Sequence, residues 1–154
     1  MRSPSELAQV FRDKHLKLTP QRQLLFSLLH QNPRHLTAES LYEIASKQMP
    51  GISLRTIYQT LGELAEMGEL QLVDVGIGAT RFDPNTEDHH HFVCESCGAI
   101  HDVDILSTPK MSLQSGGGFA VSEVGVVFRG RCNQCNHKQQ VRSPRSQAKN
   151  KASK

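Results

Sequence analysis

No run of apolar residues in this 154-residue chain approaches membrane-spanning length, and the amino terminus, MRSPSELAQVFRDK, lacks the hydrophobic core of a signal peptide. Both absences argue against a membrane span and against export, so a cytoplasmic location is expected. Cysteine is sparse: the four residues are grouped as Cys94/Cys97 and Cys132/Cys135. In a reducing compartment such pairs point to metal thiolates rather than disulfides. Chain length is limiting too, since 17.2 kDa provides for one ordinary domain or two small ones, and two small ones need a metal or a partner to support their modest cores. The first half also lacks any charge excess. Residues 1–84 carry 9 basic and 9 acidic side chains, residues 85–123 carry 1 and 6, and residues 124–154 carry 8 and 0. The net charge of +3 therefore comes from the end of the chain. The closing RSPRSQAKNKASK reads as part of a solvated, disordered tail (139–154), with nucleic-acid contact as the alternative. Net charge by itself does not establish DNA binding.

What is present in the first half is a helical pattern. Thr19-Pro20 predicts a helix start, followed by QRQLLFSLLH with Leu24, Leu25, Leu28 and Leu29 on one face. Thr37 can cap AESLYEIASKQ, where Glu39 suits the first turn and Leu41 and Ala45 face inward. After the Met49-Pro50-Gly51 break, Ser53 caps a third helix, LRTIYQTLGELAEMG, with Ile57, Leu61 and Leu64 apolar and Gly68 as its stop. Its other face displays Arg55, Thr56, Gln59 and Thr60, with Tyr58 beside them. LQLVDV and RFD then read as two short strands around a glycine-containing turn.

Helix, helix, polar-faced helix and hairpin is the order of a winged helix-turn-helix, whose recognition helix needs one apolar side and one row of hydrogen-bonding groups for base edges. The same face reads equally well as the solvated side of a small helical domain. A reader without net charge can still bind DNA when two copies act together.

The second half is organised by sulfur and imidazole. Two CxxC pairs, Cys94/Cys97 and Cys132/Cys135, predict a closed four-cysteine zinc site with a folding role, each pair following an apolar strand. A redox switch that releases zinc is the competing reading. In DHHH, an extended backbone places His89 and His91 on one face and His90 on the other. Asp83 lies upstream in RFD, and Asp102 in IHDVD follows the CxxC turn on a returning strand. Imidazoles and carboxylates without sulfur suit Fe(II) or Mn(II) better than a structural zinc. Singly, each would be an ordinary surface residue. His15, His30, His101 and His137 have no such company and are read as structural.

The ordered run LTPQRQLL, SLRTIYQTLGELAEMG, RFDPNTEDHHHFVCESCGAIHDV and CNQC resembles the ferric uptake regulator family of metal-dependent repressors over residues 8–137. The resemblance implies an α+β fold, an amino-terminal winged helix-turn-helix (1–84, with a hinge at its end) followed by a small α/β dimerisation domain (85–138) carrying the four-cysteine zinc. It implies a homodimer on an AT-rich palindromic operator, with Tyr58 and Gln59 reading bases, Lys17 directed to a minor groove and Arg22 to the backbone. Arg55 and Thr56 join this DNA-binding set through their place on the same helix.

Within the family the regulatory pattern is most like the peroxide-sensing branch, which implies His35, Asp83, His89, His91 and Asp102 as Fe(II) or Mn(II) ligands and His35 and His89 as the oxidation-sensitive residues. The iron-uptake branch, which tends to Glu where Asp83 stands, is the alternative. An additional family metal site is incomplete, because Val124 occupies a histidine position. From other classes, a small non-haem iron enzyme would need a substrate pocket this chain scarcely provides. A zinc-ribbon RNA-binding protein would leave Asp83, His89, His91 and Asp102 unexplained.

Overall fold

The computed structural model describes residues 1–30, 32–74, 76, 78–105, 120 and 124–136. The expected tail at 139–154, His137 and most of DVDILSTPKMSLQSGGGFAV lie outside the described residues. Four helices come first: α1 (Pro4–Asp13), α2 (Pro20–Leu29), α3 (Ala38–Gln48) and α4 (Leu54–Glu66). A two-stranded antiparallel hairpin follows, β1 (Gln71–Val73) with β2 (Arg81–Asp83). Among the described residues three further strands, β3 (His90–Cys94), β4 (Ile100–Val103) and β5 (Val127–Gly130), form a sheet in the order β4-β3-β5. The result is the α+β fold expected, a winged helix-turn-helix followed by a small sheet unit.

Local chemistry sets the helix ends. The hydroxyls of Thr19, Thr37 and Ser53 accept the backbone N–H of Arg22, Ser40 and Thr56, the capping that the sequence predicts. Gly68 closes α4 with φ +71°, and the Glu69 N–H reaches back to the Leu64 carbonyl at 2.9 Å, the left-handed stop that glycine adopts without strain. Helix α1 carried no expectation. Its signal was the Ser3/Glu6 pair, which forms a reciprocal capping box.

The helices enclose one core containing Leu7, Phe11, Leu25, Phe26, Leu41, Ile57, Leu61 and Leu64, with Phe82 of the hairpin closing it. Phe11 and Phe26 meet at 4.9 Å between ring centroids with an interplanar angle of 59°, a favourable tilted contact. The sheet unit is poorer. Its apolar cluster among the described residues is Val73, Val93 and Ile100.

Two pairings set the positions of functional side chains. Leu36 forms an antiparallel bridge with Phe82, which lays the loop between α2 and α3 along β2 and brings His35 beside Asp83. In the second sheet, β3 pairs antiparallel with β4, with His91 opposite Asp102, and parallel with β5, with Cys94 opposite Gly130. One correction concerns α4: Thr60, expected on the polar face, is fully buried and its hydroxyl donates to the Thr56 carbonyl at 2.8 Å. Its position in the helix turns it toward the core with Ile57, Leu61 and Leu64.

Truncation of the fully buried Leu25 to alanine should cost roughly 2–5 kcal/mol, because the neighbouring helices relax only partly into the cavity. Urea denaturation should show a lower midpoint with an unchanged slope, and a loss under about 1 kcal/mol would contradict close packing there.

Candidate metal centres

The chain brings nine potential ligands together in two groups, Cys94, Cys97, Cys132 and Cys135 in one and His35, Asp83, His89, His91 and Asp102 in the other. Within each group one donor atom per residue lies within 4.8 Å of all the others.

The first group is built at one end of parallel strands. Cys94 closes β3, the backbone turns through Gly98 (φ +71°), and β4 returns, while β5 leads into Cys132. A helical turn at 133–136 carries Cys135 back toward the same point. The four sulfurs are not joined as disulfides. Cys97 Sγ and Cys132 Sγ are 3.8 Å apart, and a tetrahedron with bonds of about 2.3 Å has edges of about 3.8 Å. The backbone N–H of Cys132 donates to Cys94 Sγ at 3.3 Å. That hydrogen bond, with help from the N–H groups of Cys97 and Ser96, outweighs burial and lowers the Cys94 thiol to about 6. Hydrogen bonding to Cys97 and Cys132 pushes Cys135 up to about 12. Four thiols this close cannot all ionise against one another without a cation, so the group is suited to one that takes thiolate.

The second group gathers three imidazoles and two carboxylates. Asp83 Oδ2 lies 3.1 Å from His35 Nε2, 2.8 Å from His89 Nε2 and 3.3 Å from His91 Nε2. Asp102 Oδ1 is 2.8 Å from His35 Nε2, 3.5 Å from His89 Nε2 and 3.9 Å from His91 Nε2. His89 and His91 present their Nε2 atoms to each other at 3.0 Å. His35 and Asp83 are buried, and Asp102 stands at the surface.

Outer contacts orient these donors. The Glu87 carbonyl, 2.7 Å from His89 Nδ1, makes that nitrogen a donor, so the neutral ring turns the lone pair of Nε2 toward the Asp83 carboxylate. Two acceptors at 2.8 Å need a proton or a metal cation between them. Asp83 keeps its other oxygen on the Asn85 N–H at 2.8 Å, and Asn85 Nδ2 donates to Asp102 Oδ2 at 3.4 Å. Burial pushes the Asp83 carboxyl up, yet the His35 and Asn85 hydrogen bonds and the charge on His35 bring it down to about 2. Burial pulls His89 down, but the Glu87 carbonyl and the charges on Asp83 and Asp102 raise it overall. Burial lowers His91, and repulsion from the neighbouring His89 and His35 rings when they carry a proton adds to that, against the hydrogen bond to Asp83. With bonds of about 2.1 Å, adjacent ligands of one ion sit about 3.0 Å apart, close to the shorter separations found here. The donor set fits a borderline cation with carboxylate and imidazole preference.

His90 turns away from this group, and its Nδ1 is buried without a hydrogen-bond partner among the described residues. Arg81 and Asn85, which touch the centre's scaffold, carried no expectation. Their contacts are long-range or made through backbone atoms, which periodicity does not reveal.

On the expected nucleic-acid face, Lys17, Arg55, Tyr58 and Gln59 are exposed and Thr56 is partly so. A depression of about 280 Å³ is lined by Lys17, Thr19, Gln21, Arg22, Thr56 and Gln59. Arg22 is engaged within the protein. It is 7% exposed, bound to Glu63 Oε1 at 2.6 Å and to the Lys17 carbonyl, and lies over the Phe11 ring. In this conformation its guanidinium holds α2 against α4. Tyr58 donates to Glu39, and Gln59 Nε2 donates to Glu63 Oε1 at 3.2 Å.

The model of the Ferric uptake regulator family matches residues 13–128. The chain is 34% identical over 130 residues to the ferric uptake regulation protein of Bacillus subtilis (strain 168), covering 80% of this chain and 87% of that one. It is 33% identical over 129 residues to the peroxide-responsive repressor PerR of Staphylococcus aureus (strain Mu50), covering 82% and 87%. Among solved structures, the Campylobacter jejuni peroxide stress regulator superposes with a TM-score of 0.58 at 29% identity, over 84% of this chain and 98% of that one.

The depressed carboxyl of Asp83 has a direct consequence in metal-free protein. A carboxyl lowered on folding adds stability above its unfolded value, near 3.8, and that contribution disappears as pH falls through about 2. The urea-midpoint advantage of the native chain over Asp83→Asn should therefore be full at pH 5 and shrink between pH 4 and pH 2. A difference that stays constant over that range would contradict an ionised, hydrogen-bonded Asp83.

Proposed function

Because this chain belongs to the ferric uptake regulator family, we propose that it is a metal-dependent DNA-binding repressor that senses peroxide at the His35, Asp83, His89, His91, Asp102 centre. The observation that carries the reading is the convergence of those five donors from three separate segments on one point. Regulators of this family are dimeric DNA-binding proteins, and their relatives named above are regulators rather than enzymes.

The division of labour follows from the two donor sets. Cys94, Cys97, Cys132 and Cys135 would hold a zinc ion as thiolates, and that ion would supply a structural cross-link between distant strands. Three imidazoles and two carboxylates would hold Fe(II), which would supply the one-electron chemistry that activates hydrogen peroxide, or Mn(II), which would support binding without it. Around that centre Glu87 fixes the His89 ring and Asn85 fixes both carboxylates, so the oxidisable imidazole carbons are held still. One peroxide oxygen is expected to enter the ring of His89 or His35 and the other to leave as water. An oxygenated ring is a poorer ligand, and its loss frees the winged unit from the sheet unit.

His35 rides on the α2–α3 loop, Asp83 ends the wing, His91 and Asp102 belong to the sheet, and His89 immediately precedes its strand β3. Keeping all five together holds the winged unit in one orientation on its dimer. Moving such an equilibrium from mostly open to mostly closed needs a bias of roughly 5 kcal/mol, within reach of several coordinate bonds. In the bound state Tyr58, Gln59, Arg55 and Thr56 of α4 would enter a major groove of an AT-rich palindrome with Lys17 toward the adjacent minor groove. The site of action is the cytoplasm.

The test is operator binding by protein loaded with Fe(II) or with Mn(II), before and after peroxide, with mass analysis of the peptides containing His35 and His89. The iron form should release DNA and gain one oxygen on a histidine peptide, while the manganese form should do neither. If both respond alike and neither peptide gains oxygen, the chain is a regulator of iron or another metal, the reading favoured by its similarity to the Bacillus subtilis protein. Cys97→Ser, one thiolate short, should lose zinc and unfold at a lower temperature. Retention of one zinc per chain would sink the four-cysteine assignment.

A further inference from the structure

Arg81 makes two hydrogen bonds that join parts of the chain far apart in sequence. Its Nη1 donates to the His35 carbonyl at 3.0 Å and its Nη2 to the Gly98 carbonyl at 3.1 Å. His35 belongs to the α2–α3 loop, and Gly98 to the turn that carries Cys94 and Cys97. One planar guanidinium therefore spans the winged unit and the cysteine turn from a strand of the hairpin. The neighbouring residue adds to the attachment, since the Phe82 N–H donates to the Leu36 carbonyl at 2.9 Å. Two consecutive carbonyls of the loop are thus gripped by two consecutive residues of β2. Gly98, at φ +71°, takes a left-handed turn that side-chain-bearing residues rarely adopt.

We propose that Arg81 is a positioning residue that clasps the two units through the His35 and Gly98 carbonyls and so prearranges His35 for the regulatory ion. The inference rests on the reading of His35 as a ligand of that centre. Arg81 acts without touching the ion: its fork fixes the backbone from which the imidazole projects, and the buried ring is left few alternative placements. It also links the two centres, because displacement of the Cys94–Cys97 turn moves one of its two acceptors. A fork with several donors in fixed directions can hold two carbonyls at once, whereas a lysine ammonium offers a single point.

The experiment uses full-length, zinc-retaining protein. Mn(II) affinity is measured for native, Arg81→Met, Arg81→Lys, His35→Ala and the Arg81→Met/His35→Ala double variant. Hydrogen exchange of the peptides spanning His35 and Gly98 is followed in the absence of manganese. Arg81→Met should weaken Mn(II) binding by about 10–100-fold, the usual effect of losing an outer contact of a ligand, and should speed exchange in both peptides. Arg81→Lys should fall between it and the native protein. The double variant should bind no more weakly than His35→Ala alone, because the arginine works through that histidine. Native affinity in Arg81→Met, or losses that add in the double variant, would overturn the clasp. Should Arg81→Met lose its zinc, Arg81→Lys decides: native affinity with native exchange rejects the proposal. A native chain that takes up no Mn(II) overturns the reading of the centre and the clasp with it, whereas normal uptake with indifferent Arg81 variants overturns the clasp alone.

Discussion

Three imidazole nitrogens lie within 3.3 Å of a single oxygen, Asp83 Oδ2, and most of the structure's functional logic depends on how that crowding is tolerated. Lone pairs on neutral imidazole and carboxylate repel, so such a group needs protons or a metal cation among its atoms. The chain prepares the crowding through backbone pairing. The Leu36–Phe82 bridge sets His35 next to Asp83, and the β3–β4 ladder sets His91 across from Asp102. Two-residue periodicity then returns His89 to the face of His91. A strand slip of one residue would turn these side chains to the other face and dissolve the centre.

The same ladders explain why a second, sulfur-based group lies nearby yet remains chemically separate. Parallel pairing of β5 with β3 aligns Cys94 with Gly130, so the cysteine that follows β5 arrives beside the one that ends β3. Among the described residues the apolar cluster of this unit is Val73, Val93 and Ile100, and small cores of this kind gain from a cross-link. In the proposed reading, thiolate ligation there would serve folding, and the histidine-carboxylate group could then bind and release an ion without unfolding the sheet. Function depends on that separation: an exchangeable ion cannot also be the staple.

Much of this was legible in the sequence, for identifiable reasons. Caps at Thr19, Thr37 and Ser53 are local chemistry, and the CxxC and DHHH spacings express strand and turn geometry within a few residues. The chain departs from the reading where tertiary packing decides. Thr60 looked like a member of the polar face, but helix α4 rotates it into the core. The engagement of Arg22 with Glu63 and Phe11 likewise depends on packing between helices that periodicity does not show. Helix α1 was overlooked although its Ser3/Glu6 capping signal stood in the sequence, and the roles of Arg81 and Asn85 rest on contacts that no periodicity encodes.

The proposed DNA face shows why orientation, rather than attraction, has to be the controlled variable. Tyr58 donates to Glu39, which lowers that carboxyl and raises the phenol. Glu63 takes both Arg22 and Gln59. Carboxylates are thus placed beside the side chains expected to meet bases, in a half-chain whose basic and acidic residues balance. Such a surface gains little from the phosphate field, so one copy alone would bind weakly. Affinity must come from matched hydrogen bonds made by two copies at a fixed spacing. A small rotation of the winged unit spoils that match in both half-sites at once, and a centre made from three segments is well suited to permit or forbid the rotation. The neutral face and the crowded ligand group are therefore two parts of one device: the first makes binding sensitive to geometry, and the second sets the geometry.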